Sequence, residues 1–120
     1  MLTYGRRRYA NLRSCFSLLY GTTDAMLLHQ EESLKEERRI YTEEGKRSGV
    51  GVACTGLGNC FLKQGKYREA LRMFVEAREI AEEMEDRSGV GSLCLRLAIC
   101  YKSLGDSHAA IVHEREARFL

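Results

Sequence analysis

Between Tyr67 and Met84 the apolar residues fall at Tyr67, Ala70, Leu71, Phe74, Ala77, Ile80, Ala81 and Met84. These steps of three and four draw a single stripe along a helix. Just upstream, Ala53, Cys54, Leu57, Cys60 and Phe61 follow the same rule. Between the two stripes Gln64-Gly65-Lys66 breaks the periodicity where a tight turn calls for glycine. Asp86-Arg87-Ser88 closes the second stripe and offers capping side chains to the helix that follows. Extended along the chain, the pattern predicts six helices, at roughly 6–20, 24–44, 49–64, 67–85, 89–104 and 107–119.

The pattern also repeats. Arg47-Ser48-Gly49-Val50-Gly51 returns forty residues later as Arg87-Ser88-Gly89-Val90-Gly91. At the same offset Cys54 meets Cys94, Leu57 meets Leu97, Cys60 meets Cys100, Phe61 meets Tyr101 and Gly65 meets Gly105, while Ala70 and Ala77 meet Ala110 and Ala117. A fixed period of this length marks an array of supersecondary units. A weaker copy lies upstream, where Leu12, Cys15, Phe16 and Ala25 stand 45 residues before Leu57, Cys60, Phe61 and Ala70. The second helix of the first unit, or the turn after it, therefore has to absorb about one extra helical turn. The expected architecture is all-α and single-domain over 1–120, with a degenerate unit at about 6–46 and further units at 47–86 and 87–120.

The best unit reads Leu57, Gly58, Phe61, Gly65, Tyr67, Ala70, Phe74, Ala77, and the last keeps Leu97, Ala98, Tyr101, Gly105, Ala110 and Ala117. This series resembles the tetratricopeptide repeat (TPR). The last unit departs at Glu114, where the family has an aromatic, and the first at Arg13, where it has a small residue. The forty-residue spacing, the Asp-Arg-Ser-Gly connector and the triplet Leu57-Gly58-Asn59 are similar to a longer-helix subclass of LGN/Pins-type scaffolds. The resemblance implies antiparallel helical hairpins stacked as a short right-handed solenoid of about three repeats. Small residues at Gly58 and Ala98 would let each first helix approach the second at Ala70 and Ala110, with aromatics filling the space between hairpins.

Composition adds constraints. The chain has no proline, 11 glycines, 44% apolar and 30% charged residues, which suits long helices broken at glycines. A net charge of +2 argues against a general nucleic-acid binder, and no basic stripe with stacking aromatics runs beyond Arg6–Arg8. Residues 1–23 carry four arginines and no acid, so a mitochondrial targeting helix stands as an alternative to a helix of the first repeat. The longest uncharged run, Ser48 to Leu62, is shorter than a membrane span.

Candidate chemistry is sparse. Cys15, Cys60 and Cys100 share one repeat slot and Cys54 and Cys94 another, the placement of small core residues in a reducing compartment. Five free thiols are expected, most of them buried. Cys54 and Cys60 stand on different faces of one helix, so no metal is expected. His113-Glu114 lacks the second histidine of a zinc-protease motif, since residue 117 is Ala. Gly49-x-Gly51 and Gly89-x-Gly91 follow no strand, and Glu31 to Glu44 reads as a solvated face laced with Lys35, Arg38 and Arg39. Neither a cofactor nor an enzymatic activity is expected.

The function expected is that of an adaptor binding another protein or peptide, with an architectural role in a larger cytoskeletal or ciliary assembly as the alternative. In stacked hairpins the first helices line the concave groove. The inner positions are Val52, Thr55, Asn59, Leu62 and Lys63 in the middle unit, and Ser92, Leu95, Ile99, Lys102 and Ser103 in the last. In the first unit they are Arg7, Ala10, Ser14, Ser17 and Leu18. None of them is acidic, which fits an acidic or carboxylate-bearing ligand; packing against neighbouring helices is the other use of such positions. Asn59 stands out because an amide can both donate to and accept from a peptide backbone. The final helix presents Ile111, Ala117 and Leu120 with no capping helix after it, so the chain is expected to be a fragment, to self-associate, or to be covered there by another chain.

Overall fold

The structure, a computed structural model, describes residues 24–119, and these form five helices and no strand. They are α1 (Asp24–Glu43), α2 (Arg47–Lys63), α3 (Tyr67–Glu83), α4 (Arg87–Ser103) and α5 (Ser107–Arg118). Each packs on the next along the chain, α2 on α3 and α4 on α5 as hairpins, with α1 packed on α2. The helix expected at 6–20 lies outside the described residues. α2 and α4 begin two residues earlier than the periodicity predicts, because the connector residues Arg47-Ser48 and Arg87-Ser88 already belong to the helix.

All four joints are one turn repeated every twenty residues. At the end of α1 the N–H of Gly45 donates to the carbonyl of Thr42, and the N–H of Lys46 to that of Tyr41 at 2.9 Å. The same pair of bonds closes α2 at Gly65 and Lys66, α3 at Glu85 and Asp86, and α4 at Gly105 and Asp106. The first residue of each pair is left-handed, which satisfies the last carbonyls of the helix. The second residue is already the N-cap of the next helix, and its carbonyl accepts the first helical bond, as from Val50 to Lys46. Asp86 and Asp106 add a side-chain cap, accepting from the N–H of Gly89 at 3.0 Å and of Ala109 at 3.1 Å.

α2 lies between α1 and α3, so it must fit closely on two sides. Its glycines do this. A Cβ at Gly49 or Gly56 would run into Tyr41 or Leu34 of α1, and one at Gly51 or Gly58 into Ile80 or Phe74 of α3. At Gly58 the close neighbour is the Phe74 ring, whose Cε1 would be 2.5 Å from the added carbon. The core runs continuously through the joints, from Val50, Cys54 and Leu57 by Phe74, Ala77 and Ile80 to Leu93, Cys94 and Leu97.

α1 has 20 residues against 17 for α3. Its C-terminal half keeps the forty-residue register, with Gly45 at the place of Glu85.

Candidate functional site

The first helices α2 and α4 share one exposed face. On it Val52 is 71% exposed and Leu95 and Ile99 are each 52% exposed, large aliphatic side chains left uncovered among the described residues. Lys63, Ser92, Lys102 and Ser103 are also exposed, and Thr55, Asn59 and Leu62 are half-buried. Leu62 packs against the core, and the Thr55 hydroxyl donates to the carbonyl of Gly51 at 3.0 Å. Arg7, Ala10, Ser14, Ser17 and Leu18 lie outside the described residues.

The two helices are joined across this face by a residue that repeat slots could not single out. Arg96 donates through Nε to Oδ1 of Asn59 at 3.1 Å, while its Nη1 donates to the hydroxyl of Ser92. A guanidinium can only donate, so Asn59 must turn its oxygen to Arg96. The amide N–H pair of Asn59 is left pointing elsewhere. Asn59 thus has its oxygen engaged by Arg96, and its amide N–H groups have no partner among the described residues. The slot of Arg96 in the preceding unit is Gly56, whose Cα faces Leu34 of α1. Arg96 has no counterpart, and comparison at the forty-residue offset passes over it.

The second helices carry a different pattern. Arg38 of α1 reaches Glu76 of α3 with Nη2–O distances of 2.7 and 2.8 Å, and its Nε donates to Sγ of Cys54 at 3.4 Å. Forty residues on, Arg78 reaches Glu116 of α5 at 2.6 Å, and the thiol of Cys94 donates to the same carboxylate at 3.7 Å. Each clasp spans a first helix and ties the second helices on either side of it. Of the repeat's marker positions, Leu57, Phe61, Ala70, Phe74 and Leu97 lie in the buried core.

Residues 52–118 match the model of the tetratricopeptide repeat. The chain belongs to the tetratricopeptide repeat family. No curated protein and no solved structure matches it. In this tetratricopeptide array the first-helix face is the one free of acids, and the clasps occupy the other.

Cys54, Cys60, Cys94 and Cys100 are free and buried. Burial pushes up the thiols of Cys54, Cys60 and Cys94, and that of Cys100 to about 11. These are packing residues, not nucleophiles. Among the described residues no group of three or more His, Cys, Asp or Glu side chains could hold a metal ion, and no helix is long and apolar enough to cross a membrane. His113 stacks on Tyr101 with ring centroids 5.1 Å apart, and its Nδ1 lies 2.8 Å from the carbonyl of Ala109.

Proposed function

We propose that this tetratricopeptide array is a protein-binding adaptor that holds a partner segment against the first helices. The observation that carries the reading is the pairing of bare aliphatic side chains with anchored polar ones. Val52, Leu95 and Ile99 offer apolar surface beside an Arg96–Asn59 bridge whose remaining N–H groups are free to meet backbone carbonyls. Arg96, Lys63 and Lys102 make the face basic, which supports a partner carrying a carboxylate or an acidic stretch. The forty-residue repeat and Leu57-Gly58-Asn59 support a place in the longer-helix, LGN/Pins-like subclass. Free, buried thiols support a reducing compartment such as the cytoplasm.

The test is affinity purification of partners by the wild-type chain and by a double variant, Asn59→Ala with Lys63→Ala. The double change should weaken recovery of the partner by roughly 1–3 kcal/mol of binding while leaving the helical signal nearly unchanged. Full recovery of the partner by the variant would move the function to the architectural alternative, in which the hairpins pack into an assembly through other surfaces.

A further inference from the structure

The first helices carry no acid. From Arg47 to Lys63 and from Arg87 to Ser103 neither α2 nor α4 contains an Asp or a Glu. Of the described arginines whose side chains are hydrogen-bonded, Arg38, Arg39, Arg47 and Arg78 each reach a carboxylate. Arg96 does not. It is held by neutral groups, the Asn59 oxygen at 3.1 Å and the hydroxyl and carbonyl of Ser92. Those contacts use Nε and Nη1, and Nη2 makes no hydrogen bond among the described residues.

The result is a half-buried guanidinium fixed in place with its charge unanswered. Lys63 and Lys102 share the face, but both are exposed and neither makes an ion pair among the described residues. A ligand that uses them must first order a long, mobile side chain. At Arg96 that ordering is already done. Beside it the Asn59 amide, its oxygen turned to Nε, has only N–H groups to offer. Leu95 and Ile99, each 52% exposed, stand next to it on α4.

We infer, on the strength of the adaptor reading, that Arg96 is the residue by which this face selects its partner. It takes one Asp or Glu side chain of a bound segment and discriminates against Asn or Gln at the same place. A carboxylate brings two acceptor oxygens and the missing charge, whereas a side-chain amide brings one acceptor and sets N–H groups against donors. Residues 1–23 contain no acid, so that part of the chain supplies no such group. The slot of Arg96 in the preceding unit is Gly56, so α2 and α4 offer one such point and not a row. A single acid between aliphatic residues, and not an acidic run, is the partner chemistry that fits.

The probes are two capped pentapeptides, Ser-Leu-Glu-Ile-Ser and Ser-Leu-Gln-Ile-Ser, titrated into the full chain and followed by amide and arginine Nε–Hε chemical shifts. The glutamyl peptide should shift Asn59, Leu95, Ile99 and the Nε–Hε signal of Arg96, with a dissociation constant of about 1 mM. It should bind about fivefold more tightly than the glutaminyl peptide. Arg96→Lys keeps the charge but loses the planar fork, and Asn59→Asp keeps an oxygen for Arg96 but answers its charge from within the chain. Both changes should bring the preference to about one, while the melting temperature of Asn59→Asp stays at or above that of the wild type. A bridge with a structural role alone would leave the preference unmoved by Asn59→Asp. Equal binding of the two peptides by the wild type, or a preference that survives Arg96→Lys, overturns the inference and leaves the adaptor reading standing. The absence of saturable shifts from either peptide overturns it too. Shifts confined to α1, α3 and α5 would overturn both.

Discussion

A single carbon decides much of this structure. Gly58 lets the Phe74 ring lie directly on α2, and an added Cβ would sit 2.5 Å from Cε1 of a fully buried ring. Gly58→Ala gains some helix propensity but forces the ring to move, so a net loss of about 1–3 kcal/mol is expected from the urea midpoint. The converse holds at Glu85. It has φ of 56° at the turn where Gly45, Gly65 and Gly105 have 71°, 76° and 86°. A residue with a Cβ is strained there, and glycine is not. Glu85→Gly is therefore expected to raise stability by about 0.5–1 kcal/mol, after the entropy that glycine adds to the unfolded chain. An unchanged or lowered midpoint would contradict the reading of that turn.

Helices and turns were legible to different degrees. The stripe from Tyr67 to Met84 fixes α3 because one face is buried and the other wet. α2 is less plain, since it is enclosed by α1 and α3 and carries glycines toward both. There the forty-residue repeat, more than amphipathicity, identified the helix. The twenty-residue recurrence of the turn was hidden by Glu85, which breaks the series of glycines at its third member. The clasps Arg38–Glu76 and Arg78–Glu116 do keep the forty-residue offset, but in charges on a wet face, where periodicity of apolar residues carries no information. Arg38 and Arg39, read together as one solvated face, in fact divide: Arg39 pairs within α1, with Glu36 and Glu43, while Arg38 bridges to another helix.

α1 is tied to the end of α2 by a further contact. The buried Glu31 accepts from Lys35 at 3.0 Å and from Nε2 of Gln64 at 3.1 Å. Burial pushes its carboxyl up, but the two hydrogen bonds and the nearby lysines together hold it below the ordinary 4.5. A carboxyl depressed in the folded state stabilises above its unfolded pKa and loses that contribution as pH falls through its folded value. Denaturation curves from pH 6 down to about pH 3 should therefore fall less steeply for Glu31→Gln than for the wild type. Parallel curves would show that Glu31 is not linked to folding.

At the scale of the molecule, hairpin stacking leaves two kinds of surface. The second helices are cross-tied by repeated ion pairs, and the first helices are left with aliphatic side chains bare beside an Arg–Asn bridge. The positions proposed for the groove were legible because stacked hairpins present the same slots in every unit. Arg96, which orients Asn59, was not, because its slot in the preceding unit holds Gly56 and lies outside the positions counted as inner. In the function proposed above, partners bind the first-helix face. Hydrogen–deuterium exchange of the chain alone and with a partner recovered by affinity purification tests it most directly. Binding is predicted to slow exchange in peptides spanning Val52–Lys63 and Ser92–Ser103 and to leave the exposed turns of α3 unchanged. Protection confined to α1, α3 and α5, with α2 and α4 unaltered, would contradict it.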